Sequence, residues 1–361
     1  MLKSTDTPLS RRYRLALLDL DGVVYYGKQP VAYAADSIRA AERLGMTIEY
    51  TTNNSSRMQE TVAEQLRGFG LDVAAWQVIT SSVVAARMVA RHVGAGADVF
   101  VVGADHLRDE VRKAGLAIVE RGVDGAGAAP QAVIQGWYPQ MTWQQLAEAS
   151  FAVERGAKYF VTNRDLTIPR EHGVAPGCGS MIQSVINATG VEPLGSAGKP
   201  QSAMYDEARM LAAHDGEDMV SIEGSLAIGD RLDTDIEAGN RGGYDSLLVL
   251  TGVTDPDLLI RAPKELRPTY VALDLRGLNE AQPAVVRDGD VSAPAGDARG
   301  DVYVCRGAKA WFADDALVVD DTTSVDALRA ACTLGWRLRD DGIDLDTIAL
   351  PDFDFTNAAG A

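Results

Sequence analysis

Short apolar runs alternate with helical patterns over the first two thirds of the chain. Leu15–Leu18 and Ser225–Ile228 are such runs, and they are typical of strands buried on both faces of a parallel sheet. Between the runs, apolar residues recur at helical spacing, as in residues 34–44 and in the stretch from Pro200 to Leu211. The alternation predicts an α/β fold with a Rossmann-like parallel sheet as its core.

A second alternation begins at Ala97, inside the predicted core, and predicts an inserted α/β domain. We therefore assign residues 1–94 and 191–266 to the core, 95–190 to the insertion and 267–361 to a C-terminal accessory domain. The elements predicted for the insertion are strand Val99–Val102, helix Leu107–Ala114, strand Ala132–Ile134, helix Thr142–Glu154 and strand Tyr159–Val161.

The C-terminal segment has a different pattern. Gln282–Gly300 is rich in Pro, Ala, Gly and Asp, which predicts a linker or mobile loop. Val302–Cys305 and Ala316–Val319 then predict strands, and Ser324–Arg339 predicts a helix with one apolar face. We expect a small α+β extension that packs on the core or mediates assembly. A homo-oligomer is therefore one possible state of the protein.

Composition narrows the function classes. The formal net charge of −17 is offset by no basic stripe, which argues against a nucleic-acid partner. No apolar run approaches the roughly 18 residues of a membrane span. The three cysteines, Cys178, Cys305 and Cys332, are widely spaced and form no CxxC, which predicts the reduced thiols of a cytoplasmic protein.

Polar residues follow the predicted strands. After Leu15–Leu18 come Asp19-Leu20-Asp21-Gly22, at the strand end where open α/β sheets bind ligands. Asp19 can attack phosphorus as a carboxylate, while Asp21, two positions on and on the same side, donates a proton to the leaving oxygen. Gly22 lets the backbone turn and brings amide groups near a phosphate. Taken alone, this segment more often forms a solvated turn or a cation-binding loop.

Two further segments carry phosphate-binding chemistry. Thr52-Asn53-Asn54 follows the predicted strand Thr47–Thr51, and its hydroxyl and amide groups can hold phosphate oxygens; a helix cap or turn is the alternative. Lys199 precedes Pro200 at a predicted helix start, where an ammonium group can neutralise both a carboxylate and a phosphate. By itself it would be an ordinary surface lysine.

The segment Gly229–Asp235 follows the run Ser225–Ile228 and carries three carboxylates. Such a concentration of negative charge requires a cation or hydrogen-bond donors. Mg²⁺ fits because it takes oxygen ligands from carboxylates, water and substrate phosphate. An acidic helix N-terminus, in which Asp233 and Asp235 favour the helix dipole, is the alternative.

These four segments match, in order and in their strand-end setting, the four motifs of the haloacid dehalogenase-like phosphatases, and the chain resembles that family. The resemblance implies that Asp19 is the nucleophile, which becomes an aspartyl-phosphate. It implies that Asp21 is the acid and then the base for the hydrolytic water. Asp233 receives no direct role.

The resemblance also implies a Mg²⁺ cofactor. Its ligands would be Asp19, the backbone carbonyl of Asp21, and Asp230, while Asp235 would support that shell. Thr52, Asn53 and Lys199 would bind the phosphoryl group.

The insertion resembles the large α/β cap of the branch that contains 4-nitrophenyl, phosphoglycolate, pyridoxal phosphate and glycerol 3-phosphate phosphatases. Tyr138 departs from the branch, in which several members have Asp, so a substrate contact there is not carried over. The matching stretches are Val101-Val102-Gly103, Gly136-Trp137-Tyr138, Val161-Thr162-Asn163-Arg164-Asp165 and Pro176-Gly177-Cys178-Gly179-Ser180.

A cap faces the leaving group of the substrate, so the loop Asn163–Gly173 is the candidate for specificity, with Asn163, Arg164 and Asp165 as its candidate residues. Arg164 can engage an anionic or hydroxylated part of a substrate, or it can be a surface arginine paired with Asp165. His172 either lines the mouth of the cap or lies on the surface.

The sequence thus predicts a Mg²⁺-dependent phosphatase of a small cytoplasmic phosphomonoester, with glycerol 3-phosphate first by family resemblance. Phosphoglycolate and pyridoxal phosphate are the alternative substrates. A dehalogenase would need neither Asp21 nor the acidic segment at Asp230. A catalytically inactive binding protein on the same scaffold would usually lack one of the four groups, and none is missing.

Overall fold

The computed structural model describes residues 1–123, 127–170, 172–213, 218–288 and 301–355. The chain divides into two compact units. The first consists of Met1–Glu49, Phe69–Leu71 and Ala212–Ala361, and the second of Tyr50–Gly68 and Asp72–Leu211. The division into the four segments 1–94, 95–190, 191–266 and 267–361 stays a prediction.

Strands and helices are numbered along the chain. Strand β4 (Thr47–Thr52) begins in the first unit and ends in the second. The other strands of the first unit are β1 (Leu15–Asp19), β2 (Tyr25–Tyr26), β3 (Gln29–Pro30), β13 (Ser225–Gly229), β14 (Asp245–Val249), β15 (Tyr270–Ala272), β16 (Val285–Asp288), β17 (Val302–Cys305), β18 (Ala308–Ala313) and β19 (Ala316–Val319). Its helices are α1 (Leu9–Arg12), α2 (Ala34–Arg43), α9 (Glu237–Gly242), α10 (Pro256–Ile260) and α11 (Val325–Asp340).

The second unit carries the elements of the predicted insertion and those that flank it. Its strands are β5 (Val78–Thr80), β6 (Asp98–Val102), β7 (Ala117–Val119), β8 (Ala132–Gln135), β9 (Lys158–Val161), β10 (Thr167–Arg170), β11 (Gly173–Pro176) and β12 (Gly195–Ser196). Its helices are α3 (Gln59–Gly68), α4 (Ser81–Val93), α5 (Asp105–Lys113), α6 (Trp143–Glu154), α7 (Cys178–Thr189) and α8 (Ala203–Ala212), the last of which ends one residue beyond the unit.

A parallel sheet forms the predicted Rossmann-like core. Its strand order is β15-β14-β13-β1-β4-β5, and β1 runs parallel to β13 with Leu15 opposite Ser225. The four apolar residues of β1 are fully buried, because helices cover both faces of such a sheet. The sheet order brings the ends of β1 and β13 side by side.

The second unit contains the predicted inserted α/β sheet. Its five strands lie in the order β12-β9-β8-β6-β7, and all four pairings are parallel. Helix α6 begins with a capping box in which Thr142 accepts from the Gln145 amide and the Gln145 side chain accepts from the Thr142 amide. The predicted specificity loop 163–173 contains β10, which forms an antiparallel hairpin with β11.

The C-terminal segment forms the predicted α+β extension. Strands β16-β17-β18-β19 make an antiparallel sheet, and α11 begins at its N-cap, Ser324. The prediction of a linker over Gln282–Gly300 is wrong for Val285–Asp288, which pair with β17 as a strand. Residues 289–300 lie outside the described residues. The prediction was wrong because many Pro and Gly residues in this segment indicate a linker, whereas the apolar pair Val285-Val286 is only a short signal for a strand.

No helix in the described ranges combines the length and the apolar character that crossing a membrane requires.

The extension shares one hydrophobic core with α10. Trp336 of α11 is buried and donates from its indole N–H to the Leu259 carbonyl at 2.9 Å. Gly335 is close-packed, since a Cβ there would lie 2.7 Å from Ile260 Cγ2. Within the first unit, the extension therefore forms part of a shared hydrophobic core and is not a separately packed domain on a linker.

A buried carboxyl group lies in β4. Glu49 is 0% exposed, and among the residues that the structure describes none donates a hydrogen bond to either carboxyl oxygen. Burial disfavours the charged form and raises the pKa of Glu49 to about 9. The side chain is therefore protonated at neutral pH.

We expect Glu49 to make the folded state less stable as pH rises. The pKa of Glu49 is higher in the folded state than in the unfolded state. Its contribution to the free energy of unfolding is therefore full below about pH 4.5 and is lost as pH rises through about 9. Glu49→Gln should flatten that decline, which is at most about 1.4 kcal/mol per pH unit. Urea unfolding at pH 5, 7 and 9 measures it. Glu265→Gln, at an exposed glutamate, should leave the decline unchanged; equal slopes in all three proteins would contradict the burial argument.

Adjacent leucines of α10 provide a matched test of the shared core. Leu259 is 0% exposed and Leu258 is 50% exposed. Leu259→Ala should lower the free energy of unfolding by about 2–5 kcal/mol because it leaves a cavity, whereas Leu258→Ala should cost under about 1 kcal/mol. Chemical denaturation followed by circular dichroism measures both. Similar losses in the two variants would show that α10 is not packed as described.

Candidate active site

Three carboxylates converge in the first unit. Asp19 ends β1, Asp230 directly follows the adjacent parallel strand β13, and Asp235 lies in the π-helical turn Leu232–Ile236. One carboxylate oxygen from each lies within 4.8 Å of the others. Two of the three residues, Asp230 and Asp235, are 1% exposed. The predicted meeting of the first and fourth segments is therefore observed.

Glycines make room for these carboxylates. A Cβ on Gly22 would lie 2.6 Å from Asp230 Oδ2, and one on Gly252 would lie 1.8 Å from the same atom. A Cβ on Gly229 would meet the Asp235 Cβ at 2.2 Å. Gly22 also has φ +83°, a conformation that glycine adopts without strain. These three glycines form a cradle that any side chain would fill.

Backbone amides orient two of the carboxylates. The Val253 N–H donates to Asp230 Oδ2 at 2.7 Å, and the Arg231 N–H donates to Asp235 Oδ2 at 3.1 Å. The Thr251 hydroxyl donates to the Gly22 carbonyl at 2.7 Å, which ties the loop after β14 to the loop after β1. The residues Thr251–Val253 were not predicted from the sequence. Their position directly after the apolar strand β14 was the available signal.

The cluster fits a hard divalent cation. It offers only oxygen donors, and two of its carboxylates, those of Asp230 and Asp235, are withdrawn from water. Mg²⁺ is bound through carboxylates, water and substrate phosphate. Asp233 lies outside the cluster: its exposed carboxylate pairs with Arg231 at 2.9 Å. The Asp21 side chain is also outside the cluster, and its role as proton donor stays a prediction.

The second unit brings together the predicted phosphate-binding segments. Asn53 joins the loop after β4 to Lys199: its Oδ1 accepts from the Lys199 N–H at 2.8 Å, and its Nδ2 donates to the Lys199 carbonyl at 3.0 Å. Gly198 allows this approach, since a Cβ there would lie 2.7 Å from Asn53 Oδ1. Thr52 ends β4, and its hydroxyl accepts from the Asn54 amide. Lys199 is 2% exposed and is thus not an ordinary surface lysine.

Two of the three predicted specificity residues contact the same loop. Asn163 donates to the Asn53 carbonyl at 2.9 Å, and Asp165 accepts from Asn53 Nδ2 at 3.2 Å. Arg164 instead forms an ion pair with Glu192 at 3.1 Å, so the suggested partner Asp165 was wrong. His172 is exposed. The role of these residues in specificity stays a prediction.

The three cysteines are free, as predicted, and the structure shows that all three are buried. Burial raises the pKa of the Cys178 thiol to about 12, which keeps it protonated and a poor nucleophile. Its sulfur lies 3.7 Å from the Thr162 hydroxyl. Cys178 therefore serves packing at the start of α7.

We expect Gly252→Ala to weaken Mg²⁺ binding about tenfold or more, because the added methyl group must displace the Asp230 carboxylate. Isothermal titration of Mg²⁺ into the protein measures this. Gly68→Ala is the matched control, since nothing lies within 4 Å of a Cβ there. An unchanged Mg²⁺ affinity in Gly252→Ala would contradict the claim that glycine at this position makes room for the Asp230 carboxylate.

Family models match two parts of the chain. Residues 16–117 match the haloacid dehalogenase-like hydrolase model, and residues 196–278 match a second model for hydrolases of this type. Among curated proteins, D-glycerol 3-phosphate phosphatase of Mycobacterium tuberculosis is 35% identical over 92% of this chain and 88% of its own length. The 5′-nucleotidase YutF of Bacillus subtilis is 34% identical over 68% of this chain and 90% of its own.

Solved structures agree. Glycerol phosphate phosphatase of M. tuberculosis in complex with magnesium has a TM-score of 0.77 and 33% identity, and covers 98% of both chains; it was also solved with calcium. The p-nitrophenyl phosphatase of Archaeoglobus fulgidus has a TM-score of 0.66 and 30% identity over 74% of this chain and 98% of its own. The predicted family and fold are thus confirmed: this chain belongs to the haloacid dehalogenase-like hydrolases and is a phosphoric monoester hydrolase of that family.

Proposed function

We propose that this enzyme is a Mg²⁺-dependent phosphatase that hydrolyses glycerol 3-phosphate through an aspartyl-phosphate on Asp19. The observation that carries the proposal is the cluster of three carboxylates: Asp19 at the end of β1, Asp230 directly after the parallel strand β13, and Asp235 in the turn that follows. The similarity to a glycerol 3-phosphate phosphatase over 92% of this chain supports the substrate.

The chain's own residues account for a double displacement. The Asp19 carboxylate attacks phosphorus, the bond from phosphorus to the leaving oxygen breaks, and Asp21 gives that oxygen its proton. Water then attacks phosphorus, Asp21 takes a proton from that water, and the bond from phosphorus to the Asp19 oxygen breaks. Inorganic phosphate leaves and the Asp19 carboxylate is restored.

Mg²⁺ would be held by Asp19, the Asp21 carbonyl and Asp230, with Asp235 supporting them, and when bound it offsets the charge of the carboxylates and the phosphate. By family resemblance, four residues would hold the phosphoryl group: Gly22 and Thr52 by backbone or hydroxyl groups, Asn53, and Lys199 by its ammonium group. Lys199 is buried and its backbone is hydrogen-bonded to Asn53. Both features support the proposal that its ammonium group is held in a defined position.

The cap, assigned to residues 95–190, would face the leaving group, and Asn163, Arg164 and Asp165 stay candidates for specificity. Phosphoglycolate and pyridoxal phosphate are the alternative substrates. We place the enzyme in the cytoplasm, acting on a small metabolite, as a monomer or homo-oligomer. Phosphate release from a panel of phosphorylated metabolites tests the substrate; glycerol 3-phosphate should give the highest kcat/KM.

Asp19→Asn should lower kcat on 4-nitrophenyl phosphate by about 10³-fold or more, because it removes the nucleophile. Asp21→Asn should remove the acid and base function and cost about 10²–10⁴-fold. Asp233→Asn is the matched control and should stay within twofold, since Asp233 is exposed and paired with Arg231. Turnover at the wild-type rate in Asp19→Asn would overturn the proposed mechanism.

A further inference from the structure

The parallel sheet of the second unit has a topological switch point. Strand β6 has β7 on one side and β8 on the other. The chain leaves β6 to form β7, and then crosses back to form β8. The loops that follow β6 and β8 therefore diverge at the carboxyl ends of the strands, which is where open α/β sheets bind ligands.

A cavity of about 500 Å³ lies at this point, within the size range of small-molecule sites. Gly103, Ala104 and the first turn of α5 form one wall, and the loop after β8 with the start of α6 forms the other. Its polar lining residues are Ser56, Asp105, Arg108, Glu120, Tyr138, Gln140 and Gln145.

Hydrogen bonds fix the donors of this cavity. The Tyr138 hydroxyl donates to Gln145 Oε1 at 2.6 Å, and the Thr142 amide donates to the same oxygen at 3.0 Å. The Gln145 oxygen is thereby occupied and its NH₂ group is left as a donor. Arg108 donates from one guanidinium nitrogen to Glu120 at 2.9 Å, which leaves most of its five N–H groups for other acceptors.

The charges of the lining favour a neutral ligand. Asp105 and Glu120 together outweigh the single cation, Arg108, and Arg108 is already paired with Glu120. A second anionic group on a ligand would meet the one carboxylate, that of Asp105, that Arg108 does not offset. Hydroxyl groups both donate and accept, so they suit a wall that mixes carboxylates with amide and guanidinium donors.

The cavity adjoins the predicted phosphate-binding loop. Ser56 lines it, and both the amide and the hydroxyl of Ser56 donate to Asn54 Oδ1, at 2.9 and 3.0 Å. This turn joins Ser56 to Asn53, which is bound to Lys199 by two hydrogen bonds. A ligand in the cavity thus lies beside the segment to which the phosphoryl group is assigned.

We propose that this cavity binds the leaving group of the substrate, and that the substrates are phosphomonoesters of neutral polyols, from glycerol to the size of a sugar. Arg108, Gln140 and Gln145 donate to hydroxyl oxygens, while the excess negative charge of Asp105 and Glu120 disfavours leaving groups that carry a carboxylate. The inference rests on the proposed phosphatase function and assigns its substrate class.

Arg108→Gln tests the subsite. It should lower kcat/KM for glycerol 3-phosphate about tenfold relative to kcat/KM for 4-nitrophenyl phosphate, because hydrogen bonds from a charged donor to the substrate hydroxyl groups are lost and the 4-nitrophenyl group carries no hydroxyl. Arg112→Gln is the matched control: it lies one turn further along α5 and pairs with Asp109 on the surface. Equal losses on both substrates, or no loss on either, would overturn the subsite.

Charge exclusion is tested by the double variant Asp105→Asn/Glu120→Gln. It should raise kcat/KM for phosphoglycolate relative to glycerol 3-phosphate about fivefold or more, and an unchanged ratio would contradict the exclusion. Should the wild type hydrolyse no phosphomonoester, the proposed function fails. Saturation-transfer NMR with glycerol and sorbitol then tests whether the cavity binds polyols. Binding to the wild type but not to Arg108→Gln supports the polyol site, and no binding to the wild type overturns it.

Discussion

Repulsion among three carboxylates is the constraint on which the candidate active site of the first unit depends. Two unit charges about 4 Å apart repel by about 4 kcal/mol near a protein surface, and Asp19, Asp230 and Asp235 lie within 4.8 Å of one another. Backbone amides hold Asp230 and Asp235 in place, and glycines leave no side chain to shield them. A cluster arranged in this way is relieved by a divalent cation, which couples the affinity for metal to the fold.

Parallel sheets place such sites at the ends of their strands, and both units of this protein use that property. In the first unit, β1, β13 and β14 deliver Asp19, Asp230 and the Thr251–Val253 loop to one edge. In the second unit, the switch point between β6 and β8 opens the cavity to which we assign the leaving group. The chemistry and the proposed specificity thus follow from the same topological rule.

The C-terminal extension is part of the first unit's core. Arg329 of α11 is buried and donates to the Val271 carbonyl of β15 and to Gln282, so a charged side chain joins the extension to the edge of the main sheet. Replacing it would leave buried acceptors without a donor. The extension therefore supports the sheet that carries the carboxylates, whether or not it also mediates assembly.

The sequence by itself determined the α/β class, the family and the three aspartates that the structure brings together, because each depends on short segments at or just after strand ends. It did not determine β16, whose Pro- and Gly-rich surroundings hide a strand that forms only by pairing with β17, nor the partner of Arg164, which is distant in sequence. The close approach of Gly252 to Asp230 and the cavity beside Arg108 were decided by the tertiary structure alone. Their importance lies in close approach between loops, and a linear pattern carries no information about which loops meet.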